Sequence, residues 1–297
     1  MSSKNSTVRF KTAWRALRRL LANPEATEEV FTIVRALSGS SLQKGLKRFA
    51  STGHGQYVLE NRIDLLQTLQ NKDYLSSLPA NSLGRHYLNF IEKEKISAGG
   101  LVDASDKDIT YTEMGEDLTR FATRQRDTHD LWHTLTQYGR DELGELCLLA
   151  FTYAQNQNPG IALIILAGLF KMRPRYGLQV FSAVYKGYRS SKRAKWLPEQ
   201  NWEELLEKPI EDVRQFLKIH PPVHYQQLLS NPAVAWVYLC LIAKTIPKFR
   251  YKWIDNRIAK RILNGDSRAL GNNNALKTSG HRVTIVGSNQ HDWECRK

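Results

Sequence analysis

Residues 126–155, RDTHDLWHTLTQYGRDELGELCLLAFTYAQ, decide how the chain must be read. His129 and His133 stand four apart, so on a helix they share one face, about 6 Å apart along the axis. Glu145 follows twelve residues after His133. On one unbroken helix it would lie ~18 Å further along, out of reach of both imidazoles. Gly139 suits the position just past a helix end, and Asp141 is a good cap for a new helix. The spacing therefore predicts a helix over 113–138, a break at Gly139 and a second helix over 141–157. Such a hairpin returns Glu145 to His133. Glu145 also sits inside the apolar run 143–151, where a carboxylate is costly unless paired or ligating. Two imidazoles and a carboxylate form a donor set for a divalent metal. Asp130 lies about 100° around the helix from His129. It reads as a further ligand or as a general base, as the acidic residue does in the H-E-x-x-H pattern. The bland alternative is an exposed helix face where His and Asp coincide.

Outward from this stretch, helical periodicity continues over 8–22, 25–38, 59–70, 83–95, 160–172, 175–189, 209–218, 223–229, 232–246 and 249–263. Breakers such as Asn23-Pro24, Gly99-Gly100, Pro174, Pro221-Pro222 and Gly265 punctuate it. Strand-like alternation is confined to 282–287, RVTIVG. The fold class is all-α: one multi-helix domain over 1–220, a helical extension over 221–264 and a polar, turn-rich segment over 265–297 that reads as a mobile tail.

The chain has 297 residues and a formal net charge of +14. Its length suffices for a core without disulfides, and Cys147, Cys240 and Cys295 form no C-x-x-C. That favours an intracellular, reducing location and excludes a cysteine zinc site. Basic residues cluster in 1–24, 171–195 and 248–263. An anionic membrane surface is the expected partner. Nucleic acid is not expected, because the aromatics among these basics fall at helical spacing and read as core and interface anchors. The apolar runs 161–170 and 233–243 are shorter than the ~20 residues a bilayer requires. They read as buried or interfacial helices, and membrane binding as peripheral. Phe10, Trp14, Leu17 and Leu21 line one face of a basic N-terminal stretch, which reads as the first helix of the fold. His220 and His224 are also four apart, but Pro221 and Pro222 between them remove the helix that would align the rings.

H-D-x-x-H, eleven residues, then Glu resembles the signature of the fourth coenzyme-Q (ubiquinone) biosynthesis protein family. SLPANSLGRHYLNFI (77–91) and WEELLEKPIEDVRQFLKI (202–219) resemble its flanking blocks. The resemblance covers about residues 12–220. It implies an all-helical, peripherally membrane-associated protein that binds a divalent metal through His129, Asp130, His133 and Glu145. Zinc is the expected ion, with iron or magnesium as alternatives. It further implies action on a prenylated aromatic ring, removing the C1 carboxyl group with oxidation, and partnership with other quinone-biosynthesis proteins. A non-catalytic scaffold that binds isoprenoid lipid is the second reading, and a zincin-like metallohydrolase with Asp130 as base is the third. A homodimer is compatible with any of them. The expected place is the cytoplasmic side of a bacterial membrane, or the matrix side of the mitochondrial inner membrane in a eukaryote. Residues 221–297 extend past the resemblance and leave the pathway step open.

Overall fold

A computed structural model describes residues 9–23, 26–96 and 115–230, and the backbone of 275–278 and 281–284. The expected helices over 232–246 and 249–263, and most of the tail, lie outside the described residues. In chain order the helices are α1 (Phe10–Ala22), α2 (Thr27–Leu37), α3 (Ser41–Ala50), α4 (Gly53–Glu60), α5 (Leu65–Gln70), α6 (Lys72–Ser77), α7 (Leu83–Lys93), α8 (Glu116–Asp127), α9 (His129–Thr136), α10 (Glu142–Asn156), α11 (Pro159–Tyr176), α12 (Gln179–Arg193), α13 (Trp202–Leu205), α14 (Ile210–Leu217) and α15 (Val223–Leu229), with a 3-10 turn at Leu197–Glu199. These helices fall within a unit that ends at Ser230. Among the described residues of the other unit, Ala275–Thr278 pairs antiparallel with His281–Thr284. The latter strand overlaps the alternating stretch 282–287. The all-α expectation holds for the helical unit.

The helices form where apolar spacing and caps agree. Thr52, Asp64, Asn71, Ser82, Asp141, Asn158 and Asn201 each accept a backbone N–H at a helix start. α1 buries Ala13, Ala16 and Leu17 against Ile33, Ala36 and Leu37 of α2 and Ile164 of α11. A second cluster joins Phe49, Val58, Phe121 and Trp196. Arg124 is buried between α8 and α13, where its guanidinium is bidentate to Glu203 at 2.7 and 2.8 Å. α10 runs through the interior and packs on both α11 and α12. Gly168 of α11 and Gly187 of α12 allow those approaches. A Cβ on Gly187 would meet the Cys147 carbonyl oxygen at 2.7 Å, and one on Gly168 would meet the Leu146 side chain at 2.6 Å.

Several boundaries differ from the periodicity. The single helix expected over 113–138 is α8 and α9, divided at Thr128, whose hydroxyl donates to the Gln125 carbonyl at 3.1 Å. Such local side-chain bonding competes with the helical ladder. α9 ends at Thr136, because Gln137 takes the left-handed conformation at φ 60°. Gly139 is therefore not the terminator the sequence suggested. The stretch 59–70 is split between α4 and α5 by Arg62 at φ 53° and the Asp64 cap. Helices α3, α6 and α13, and most of α4, were not anticipated. Pro174 does not break α11; it sits near the end, exposed, and Gly177 at φ 59° ends the helix instead. Run 161–170 is only partly buried, since Leu166 and Phe170 face outward.

Gly144 holds the α9–α10 hairpin shut. A Cβ there would lie 2.1 Å from the Gly139 carbonyl oxygen. Glycine-to-alanine inside a helix ordinarily stabilises by about 0.5–1 kcal/mol. Here the sign reverses: Gly144→Ala is expected to lower the denaturant midpoint, as two backbones must separate. A midpoint at or above wild type, at unchanged slope, would refute this close approach.

Candidate metal centre

α9 carries two imidazoles inward at helical spacing. His133 is fully buried, and its ring stacks on Phe90 of α7 with centroids 5.6 Å apart. His129 meets it edge-on at 4.8 Å. The turn 137–141 then reverses the chain and α10 begins at its Asp141 cap. Glu145, in the first turn of α10, comes back to both rings. Its Oε1 lies 3.3 Å from His133 Nε2 and its Oε2 lies 3.9 Å from His129 Nε2. Asp130 Oδ1 lies 3.2 Å from His129 Nδ1. The four residues singled out in the sequence are therefore neighbours, and the reversal that joins them begins at Gln137, two residues before Gly139. His220 and His224 show no part in this cluster.

The tautomer of His133 follows from its surroundings. Its Nδ1 lies 2.9 Å from the Tyr138 carbonyl oxygen. A carbonyl only accepts, so Nδ1 carries the proton and a neutral ring leaves its lone pair on Nε2. That Nε2 is buried without a hydrogen-bond partner, although a carboxylate oxygen is 3.3 Å away. A lone pair opposite a carboxylate requires a positive charge between or upon them. A second proton on the ring would satisfy this, and so would a cation.

The charges on the site reinforce one another. Burial alone would lower the His129 pKa. The Asp130 hydrogen bond, then the Glu145 charge, outweigh it and lift the value above 6.5. Burial alone would raise Asp130 and Glu145, but the neighbouring histidines hold Asp130 below 3.8 and Glu145 below 4.5. Exposed Arg140, in the turn, adds in a minor way to the lowering of Asp130 and Glu145 and works against the rise of His129. Both carboxylates thus stay ionised near neutrality. About a third of the His129 and Glu145 side chains remains exposed, so the cluster has one open side.

Residues that spacing could not reveal support the turn. Tyr225 of α15 donates its phenol to Asp141 Oδ2 and accepts the Gly139 N–H at 2.9 Å. Its ring lies edge-on to Tyr138 at 5.3 Å. Arg214 of α14 donates to the Thr134 and Leu135 carbonyls, each at 2.9 Å, at the end of α9. Such end carbonyls otherwise lack partners. Tyr225 and Arg214 are 84 and 79 residues from what they hold, and no local pattern announces them.

Residues 4–223 match the model of the family described as coenzyme Q (ubiquinone) biosynthesis protein Coq4. The chain belongs to that family. Among its Coq4 relatives is the "Ubiquinone biosynthesis protein COQ4, mitochondrial" of Podospora anserina, 28% identical over 213 residues, covering 70% of this chain and 67% of that protein. The protein of the same name from Meyerozyma guilliermondii is 26% identical over 211 residues, covering 69% and 64%. The chain thus spans about two thirds of the length of these curated relatives. A crystal structure of a putative ubiquinone biosynthesis protein from Nostoc punctiforme superposes with a TM-score of 0.54 at 20% identity, covering 71% of this chain and 98% of that one. That likeness speaks for the Coq4 fold. No helix among the described residues is long and apolar enough to cross a membrane.

Protons and a cation compete for the same imidazole nitrogens, and the charged His129 is favoured up to a pH above 6.5. Apparent affinity for a divalent ion is therefore expected to begin falling above pH 6.5 on acidification, before the carboxylates titrate. His133→Ala is expected to remove stoichiometric binding while circular dichroism keeps its helical signal. Affinity that stays flat down to pH 5, or unchanged metal content in the variant, would remove the metal assignment.

Proposed function

We propose that this ubiquinone-biosynthesis family member binds one divalent ion between α9 and α10 and uses it to handle a prenylated aromatic ring bearing a carboxyl group. The observation that carries the reading is the buried, unpartnered Nε2 of His133 opposite the Glu145 carboxylate. The donor set of imidazole nitrogen and carboxylate oxygen suits zinc, and two histidines with a carboxylate also suit ferrous iron. When bound, such an ion would supply Lewis acidity toward a ring oxygen or carboxylate. The chain's own residues do the rest. Tyr138 and Phe90 fix the His133 ring, Glu145 offers its carboxylate from the first turn of α10, and the open side beside His129 admits a ligand's polar head. The C1 carboxyl group is the one we assign to removal as carbon dioxide, a hydroxyl from water taking its place on the ring and dioxygen accepting the two electrons to give hydrogen peroxide. Release of carbon dioxide from a prenylated hydroxybenzoate, in air and with each metal in turn, is the expected result with the intact protein. Tight binding of that compound without carbon dioxide release would leave the scaffold that only holds isoprenoid lipid. Peptidase or esterase turnover lost in Asp130→Asn would instead favour the hydrolase.

The place of action in this reading is an anionic membrane surface, and other quinone-biosynthesis proteins are its expected partners. Support comes from large apolar side chains left in solvent beside basic ones. Phe10 and Trp14 are 73% and 60% exposed on α1, near exposed Lys11, Arg15 and Arg18. Phe170 and Leu178 are 60% and 72% exposed, near exposed Lys171 and Arg173. Aromatic anchors with basic neighbours favour an interfacial position. Trp14→Ala with Phe170→Ala is expected to reduce binding to vesicles containing anionic lipid, and added salt to reduce it further. Vesicle binding by the double variant equal to wild type would place docking elsewhere.

A further inference from the structure

The chain enters α10 through three charged residues in succession, Arg140, Asp141 and Glu142. The two acidic ones have partners. Asp141 accepts the Leu143 and Gly144 N–H groups, each at 3.1 Å, and the Tyr225 phenol. Glu142 is met by Lys171 at 3.0 Å and by Arg175 at 3.9 Å, both from α11. The exposed Arg140 guanidinium makes no hydrogen bond and no ion pair with any of the described residues. The acidic groups beside it are engaged elsewhere, and so are the two cations of α11.

Unpaired arginines are ordinary on a protein surface, and the place of this one is what distinguishes it. It stands in the reversal that brings Glu145 back to His133. Its charge acts on His129, Asp130 and Glu145 alike, as one of the smaller influences on each. The side of the cluster that meets solvent is the side of His129 and Glu145, each about a third exposed. A divalent ion, two neutral imidazoles and the carboxylates of Asp130 and Glu145 sum to zero charge. Arg140 is then a positive charge that the cluster itself does not balance. A negative group entering this half-buried mouth needs such a counter-charge. The planar guanidinium matches a carboxylate with two parallel hydrogen bonds.

Resting on the reading of a carboxyl-bearing ring above, we propose that Arg140 determines specificity: its guanidinium pairs with the ring carboxylate as the compound enters beside His129. The pair exists with the bound compound and is lost when the carboxyl group leaves as carbon dioxide. It therefore selects what enters and favours departure of the product, and does not speed the chemical step, because only contacts that strengthen in the transition state do so.

Calorimetry on the full zinc-loaded chain, without air so that nothing turns over, tests this. Two compounds are titrated: a short-chain prenylated hydroxybenzoate, and its counterpart with a hydroxyl in place of the carboxyl group. Wild type is expected to bind the acid more tightly. Arg140→Gln is expected to weaken the acid about 5-fold, the upper end for an exposed ion pair, and to leave the counterpart unchanged. Arg140→Lys keeps the charge without the fork and is expected to fall between. Added salt is expected to weaken the acid in wild type more than in Arg140→Gln. Equal weakening of both compounds in Arg140→Gln would mean a disturbed turn, and an unchanged preference for the acid would mean no contact; either overturns the role of Arg140 and leaves the carboxyl-bearing ring standing. A wild type that binds the counterpart as tightly as the acid would overturn both.

Discussion

The turn from Gln137 to Asp141 is the constraint on which the site depends. It must reverse the chain within five residues while two backbones nearly touch. Gly139 and Gly144 permit that approach, because a Cβ on either would strike polar atoms of the turn. The same turn presents the Tyr138 carbonyl to His133 and the Asp141 carboxylate to the Leu143 and Gly144 N–H groups. One short segment thus sets a histidine tautomer, caps a helix and determines how near Glu145 comes to α9. Loosening it would disturb all three together.

The turn does not stand alone. Its outer side is held by Tyr225 and the end of α9 by Arg214, both from helices far along the chain. Burial pushes the Tyr225 phenol well above its ordinary range, so it remains a donor to Asp141 at any physiological pH. Long-range pairs of this kind tie α14 and α15 to the cluster. Residues 221–230 are therefore structural neighbours of the centre, although they follow the stretch that resembles the family's closing block.

The sequence was legible where the physics is local. Four-residue spacing put His129 and His133 on one face, and twelve residues with an intervening break brought Glu145 back. The Asp141 cap and the start of α10 were read to within one residue. What failed to read had non-local causes. Gly139 looked like a helix terminator because glycine usually is one, but what a Cβ there would meet is the Tyr225 hydroxyl at 2.7 Å and Asp141 Oδ2 at 2.9 Å. Gln137 took the left-handed position that a glycine normally fills. Pro174 looked like a breaker, yet a proline near an exposed helix end costs little when Gly177 already ends the helix. α3 carries Leu42, Leu46 and Phe49 at helical spacing around Gly45, so its apolar face was legible although it was not read; what no window of sequence contains is the Phe121 ring that Phe49 packs on across the fold. Asp130 was visible as a neighbour of His129, but the sequence could not say at which nitrogen it would arrive.

That last point carries the chemistry of the centre. Two carboxylates of equal charge serve the two histidines from opposite sides, and burial distinguishes them. Asp130, short and enclosed, meets His129 at Nδ1, 3.2 Å away, and a carboxylate oxygen lies within 4.8 Å of a His133 nitrogen. Glu145, one methylene longer and arriving from another helix, can reach the outer nitrogens of both rings.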